Sequence, residues 1–165
     1  MDTVIRRVRP AEYEALGDLT VEAYLRDGFL DSGGEEGGYR DHLRDVAGRA
    51  GAAEVLVAVA GERLLGGVTF VPAAGPMADI ARANEAEVRM LAVARAARGR
   101  GAGEALVRAC VERARDAGRA AVVLSTQPAM LAAQRLYERL GFVRAPRRDW
   151  EPVPGLGLLS YELTL

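Results

Sequence analysis

The chain has 165 residues, half of them hydrophobic, with 22 basic and 23 acidic side chains and a formal net charge of −1 at pH 7. That length suits one domain able to bury a core, and charges so nearly cancelled withhold the basic field a nucleic-acid binder needs. Every basic residue is Arg, and the absence of Lys excludes a P-loop lysine or a Schiff-base mechanism. One cysteine, Cys110, and one histidine, His42, supply neither an internal disulfide nor a metal cluster. The opening residues Met1-Asp2-Thr3-Val4-Ile5-Arg6-Arg7 have no apolar run behind their charges, which argues against a secretory signal. The most apolar stretch, Val55 to Ala60, is too short to cross a bilayer. The expectation is a soluble cytoplasmic protein with no membrane or nucleic-acid partner.

Thr3 to Val8 reads as a short strand, and Pro10 suits the first turn of a helix on which Tyr13, Leu16, Thr20 and Ala23 fall at helical spacing. Asp27 to Gly38 is a glycine-rich acidic loop, and a second helix is expected from Tyr39 to about Arg49. Val55 to Ala60 and Leu64 to Val71 form a hairpin signal around Gly61-Glu62-Arg63, and Pro72 to Pro76 ends it. Glu87 to Val93 is the next strand, followed by a basic, glycine-bearing loop and a helix to Ala117 that Gly118 caps. On that helix Leu106, Val107, Cys110 and Ala114 make an apolar stripe. Ala120 to Leu124 has the continuous apolar run of a buried strand. Pro128 opens a helix with the inner stripe Ala133, Leu136, Tyr137 and Leu140, closed by Gly141. Strands near Phe142 to Arg144 and Leu156 to Leu163 finish a βααβββαβαββ order, a mixed α/β arrangement.

Arg98-Gly99-Arg100-Gly101-Ala102-Gly103 lies between a strand ending at Val93 and an amphipathic helix. Glycines let backbone N–H groups approach a phosphate, and a helix N-terminus adds roughly half a positive charge. On these six residues alone, an anion site and an ordinary glycine-rich turn are equally good readings. A dinucleotide fingerprint fails, because Glu104 stands where a small residue is needed and Leu124-Ser125-Thr126 supply no acid at the next strand's end.

Glu87-Val88-Arg89-Met90-Leu91-Ala92-Val93 followed by Arg98-x-x-Gly101-x-Gly103 resembles the acyl-CoA signature of the GNAT superfamily of N-acetyltransferases. Leu136-Tyr137-Glu138-Arg139-Leu140-Gly141-Phe142, about 35 residues on, resembles that family's next helix and strand. The resemblance spans roughly residues 54 to 145 and departs from the family at three points: Ala94 for a common Asp, Arg95 for Pro, and Met130 for Asn. It implies one N-acetyltransferase domain over residues 1–165, with a coenzyme-binding core at about 85–142 and a central mixed, mostly antiparallel sheet flanked by helices. It also implies acetyl-CoA as co-substrate, direct attack by the amine of a small-molecule or peptide acceptor, and no metal. The oligomeric state is open, a homodimer included.

By the same resemblance, the backbone of Leu91, Ala92 and Val93 would pair with the pantetheine arm like an added strand. The N–H groups of Arg98, Gly99, Arg100, Gly101, Ala102, Gly103 and Glu104 would hold the pyrophosphate, and Tyr137 would protonate the departing thiolate. Glu87 is the candidate base, direct or through water, because it precedes the coenzyme-binding residues by four to six positions on one strand. It is equally a solvated strand-end carboxylate; Glu85 and Asp79 are weaker candidates. His42 has no assigned role, and Cys110 reads as a small hydrophobe. The acceptor class is unread, although Asp27, Asp31, Glu35 and Glu36 lean toward a cation. Rival readings are an acyl-CoA sensor without turnover, a nucleotide-binding redox module and a purely structural domain. With one His and one Cys, and a thioester activated enough for amine attack, a chelator should leave amine-dependent thiol release unchanged; activity lost to chelator and restored by a divalent ion would contradict this.

Overall fold

Apolar runs too continuous for one-sided strands need cover on both faces, and a helix layer on each side of one sheet supplies it. The computed structural model describes residues 2–26 and 38–165. In chain order the elements are β1 (Val4–Arg7), α1 (Tyr13–Arg26), α2 (Gly38–Arg44), α3 (Val46–Ala52), β2 (Glu54–Ala60), β3 (Arg63–Val71), β4 (Glu85–Val93), α4 (Ala102–Asp116), β5 (Ala121–Thr126), α5 (Leu131–Arg139), β6 (Val143–Arg144), β7 (Trp150–Val153) and β8 (Leu156–Thr164). The sheet runs β1-β2-β3-β4-β5-β8-β6, with β7 paired to β8. Every pairing is antiparallel except β4 with β5. The mixed, mostly antiparallel α/β sheet expected from the sequence is the one observed.

The two faces sort by residue parity. On β2, Val55, Val57 and Val59 pack with Leu16 of α1 and Val46 of α3. Leu56 and Ala58 turn the other way, joining Leu106, Val107 and Cys110 of α4 and Leu136 and Tyr137 of α5. The apolar stripes read on those two helices are therefore the ones buried. Close approach has steric conditions: a Cβ at Gly67 would stand 2.6 Å from a Leu16 methyl, so any larger residue there would push the Leu16 side chain of α1 aside.

β4 changes phase partway along. Its register against β3 shifts between Gly67 and Thr69, and Met90 takes a left-handed φ of 54°. Before this bulge Ala86 and Val88 face the α4 side; after it Leu91 and Val93 do, while Met90 packs with Val21, Tyr24 and Leu43. On its other edge β4 pairs with β5 only from Glu85–Ala121 to Val88–Leu124. Past Leu124, β5 stays with β8 through Ser125–Ser160 and Thr126–Leu159. A wedge opens between β4 and β5.

Four local expectations shift. The helix expected over residues 39–49 is two helices, because the Asp45 carboxylate accepts from the Gly48 N–H at 2.9 Å and starts α3. The helix expected at Pro128 begins at Leu131, after a turn in which the Met130 N–H donates to the Gln127 carbonyl. β4 begins two residues early, at Glu85, and β7 was not foreseen. The acidic loop carrying Asp27, Asp31, Glu35 and Glu36 lies at 27–37, outside the described residues.

Polar groups fasten β4 to the turns around it. Arg148, whose side chain is 5% exposed, reaches Glu85 at 2.6 and 2.9 Å and stands 3.2 Å from Glu162. Burial pushes the Glu85 carboxyl up, but Arg148 and the Arg82 N–H outweigh it, so its pKa lies below the ordinary value. A carboxyl depressed in the folded state adds stability above its unfolded pKa of about 4.3, lost as pH falls through the folded value. Arg148→Ala should cost about 3 kcal/mol at pH 7 by stranding Glu85. Thermal unfolding should show the gap between wild type and variant narrowing below pH 4; a pH-independent gap would assign the cost to packing.

Candidate functional site

The wedge between β4 and β5 is a cleft of about 530 Å³. One wall is Leu91, Ala92 and Val93; the floor is the loop from Ala97 to Glu104; the far wall is Ala129 to Ala133 with Leu136 and Arg139. Ala23 and Arg26 of α1 close one side.

The strand wall offers backbone groups. Ala94 donates its N–H to the Leu65 carbonyl of β3 at 2.8 Å. Peptide groups alternate along a strand, so the Val93 N–H and carbonyl turn the opposite way, into the cleft. Arg26 meets that carbonyl there, with Nη2 donating to the Val93 oxygen at 2.9 Å.

The floor offers more donors. The first N–H groups of any helix lack intrahelical partners, and α4 begins at Gly101, an N-cap without a side chain to take them. Gly99 and Gly101 hold φ of 82° and 79°, and a Cβ on either would meet nothing within 4 Å. This is an open cradle: the space over the loop peptides is free, and the helix dipole makes it favourable for an anion. Gly103 has a packing task, since a Cβ there would already touch Leu136 and Val93 at 3.4 Å. The residues present therefore fit a chain-like ligand that pairs with Val93 and ends in phosphate.

Of the residues expected to hold a coenzyme, Leu91, Ala92, Val93, Arg98, Gly99, Gly101, Ala102, Gly103 and Glu104 line the cleft, and Arg100 is not among its lining residues. Glu104 also carries a charge the sequence reading did not use. Its carboxylate pairs with Arg108 at 3.2 Å and with Arg139 across the cleft at 3.4 Å, and these partners, Arg108 first, hold its pKa below the ordinary value. Arg26, Arg139 and the Ala129–Ala133 segment were missed. Arg26 is more than 60 residues from the motif, and no local pattern points to it.

The two proposed catalytic residues sit elsewhere. Glu87 is 1% exposed, and its oxygens accept from the N–H groups of Asp79, Ile80 and Ala81 at 2.8 to 3.1 Å. Burial pushes its carboxyl above the ordinary value, and those donors restrain the rise. Tyr137 is 5% exposed, packed between the Phe142 and Tyr161 rings at 5.9 and 6.1 Å, and burial raises its phenol pKa. Neither is a lining residue of the cleft, although Leu136 beside Tyr137 is. Cys110 is wholly buried, its thiol pushed up to about 12, as befits a packing residue. Gln127, 4% exposed where β5 ends, has no hydrogen-bond partner for its Nε2 among the described residues. Among the described residues no group of three His, Cys, Asp or Glu side chains could hold a metal ion, and no helix is long and apolar enough to cross a membrane.

A split mixed sheet with a glycine loop and an open helix start at the split defines an acetyltransferase fold. A family model described as the Acetyltransferase (GNAT) family matches residues 14–142, and the chain belongs to that family. Among solved structures, a GNAT-family acetyltransferase from Staphylococcus aureus Mu50 superposes with a TM-score of 0.78 at 14% identity, covering 99% of both chains. The structure of yncA from Salmonella typhimurium, solved with its cofactor acetyl-CoA, gives 0.72 at 23% identity over 99% of this chain and 94% of that one. A GCN5-related N-acetyltransferase from Kribbella flavida gives 0.69 at 26% identity over 99% and 98%. No curated protein sequence matches the chain.

Gly101→Asp should abolish coenzyme binding. It forces a left-handed φ on a residue with a Cβ, fills the cradle, and sets a carboxylate against the phosphates. Calorimetry on the folded variant should detect no acetyl-CoA binding; unchanged affinity would remove the loop from the site.

Proposed function

We propose that this protein transfers an acetyl group from acetyl-CoA to a primary amine. One observation carries the reading: the outward backbone of Val93 and the uncapped start of α4 open into the same cleft. Family membership and the acetyl-CoA bound by the Salmonella neighbour support it. The acceptor is an amine of a small molecule, such as an aminoglycoside-like compound, a peptide N-terminus or a lysine.

Bound acetyl-CoA supplies a thioester, an acyl group already activated toward an amine. The chain's residues then have four tasks. Val93 and Leu91 pair with the arm through their backbone, and the N–H groups of Gly99 and of Gly101 to Glu104 hold the diphosphate, since those of Arg98 and Arg100 already donate to the Arg95 and Ala97 carbonyls. A backbone N–H near Val93 stabilises charge developing on the acyl oxygen. Removal of the amine proton falls to Glu87 through water, since the residue is 1% exposed and does not line the cleft. Tyr137 meets the departing sulfur. A free phenol near pKa 10 is already uphill of a thiol near 8.5 by about 2 kcal/mol, and burial raises the phenol further. Its contribution is therefore a hydrogen bond that strengthens as the C–S bond breaks.

A second reading, an acyl-CoA sensor without turnover, draws on the seclusion of Tyr137 and Glu87 from the cleft walls. Thiol release across a panel of amines separates the two. Release with any amine supports the enzyme; coenzyme binding without release across the panel supports the sensor. Tyr137→Phe keeps the ring contacts with Phe142 and Tyr161 and removes only the hydroxyl. Stability and coenzyme affinity should change little, while kcat should fall by about 100-fold. Wild-type turnover at saturating substrates would return Tyr137 to a packing role.

A further inference from the structure

Arg26 is outside every motif, yet it occupies a backbone position that the coenzyme reading requires. Its side chain is 17% exposed, and Nη2 donates to the Val93 carbonyl at 2.9 Å inside the cleft. A ligand chain that adds to the β4 edge along Leu91 and Val93 uses that same carbonyl, because the Ala94 N–H fixes its peptide on β3 and turns the Val93 oxygen outward. A carbonyl oxygen has two lone pairs, but a ligand strand laid along this edge and the Arg26 guanidinium approach the Val93 oxygen from the same cleft side, so one must yield to the other.

We propose that Arg26 holds the arm's place in the free protein, and that the pantetheine amide displaces its guanidinium from the Val93 oxygen. Arg26 is thereby a residue that sets affinity for the coenzyme arm. The inference rests on the acetyl-CoA reading above. The displaced group has a seat nearby: the Glu22 carboxylate, one helical turn back, lies 3.9 Å from Nη1 and is largely solvent-exposed. The contact satisfies a carbonyl that would otherwise face only water. Binding exchanges one hydrogen bond for another, so the arm gains less than it would from a vacant carbonyl.

The test uses a ligand without phosphates, since a cation near the loop also attracts them and would blur the sign. NMR titration of S-acetylpantetheine should show Arg26→Met binding about fivefold more tightly than wild type, the equivalent of about 1 kcal/mol. Equal or weaker binding by the folded variant overturns the proposal. So does an unchanged S-acetylpantetheine affinity beside a weakened CoA affinity, which makes Arg26 a phosphate ligand only. Should the variant not fold, a crystal structure of wild type with CoA decides. Arg26 Nη2 beyond hydrogen-bond reach of the Val93 oxygen supports displacement, and a retained contact overturns it. A wild type that binds neither ligand sinks the coenzyme reading itself, and this inference with it.

Discussion

β4 and β5 pair in parallel only as far as Val88 and Leu124, and the molecule's functional geometry depends on that early parting. β5 keeps β8 for two more residues, while β4 bulges at Met90 and keeps β3. An exposed strand edge thus appears in the middle of a sheet. Backbone N–H and C=O groups are obligatory hydrogen-bonding groups, so such an edge must find water, a side chain or a ligand. Arg26 at the Val93 carbonyl is the side-chain solution, and an added ligand strand is the other.

A second set of unmet donors faces the same space. At Gly101, whose φ of 79° is left-handed, a Ser, Thr or Asp N-cap would gain only about a few tenths of a kcal/mol over Gly and would strain the backbone; glycine keeps the first N–H groups open there. Gly103, with no Cβ between Leu136 and Val93, brings the helix start down onto the strand edge. The two sets of donors and acceptors are therefore neighbours. That adjacency supports the reading proposed for this loop over an ordinary glycine turn, a choice the six residues alone leave open.

The half of the fold that forms the cleft was largely legible because it is local. Hydrophobic period, glycine position and strand-to-helix order lie within a stretch of about 30 residues, and the helix stripes on α4 and α5 follow from a period of about 3.6. Arg26 was illegible for the opposite reason. Its partner is 67 positions away, and an arginine at a helix's end ordinarily signals nothing beyond the helix dipole. Asp45 was misjudged because a carboxylate in an apparently helical run can also restart the helix by capping it. Met130, an apparent loss of a polar contact, packs instead beside the Val21, Tyr24, Leu43 and Met90 cluster.

Glu85, Glu87 and Arg89 alternate along one face of β4; Glu85 grips Arg148, and the other two hold the turn at residues 77–81. Glu85 takes Arg148, Glu87 takes the N–H groups of residues 79–81, and Arg89 takes the Met77 carbonyl at 2.8 Å and Asp79 at 3.1 Å. Spacing on the strand placed Glu87 on this face; spacing could not say what its oxygens meet. Buried polar groups in a satisfied network hold one geometry, and breaking one member strands the rest. This ladder ends immediately before Met90, so it braces the strand where the bulge turns Leu91 and Val93 toward α4. A proton reaching Glu87, directly or through water, must weaken an N–H bond to the loop that this carboxylate secures, so the role proposed for it as base costs anchoring on either route.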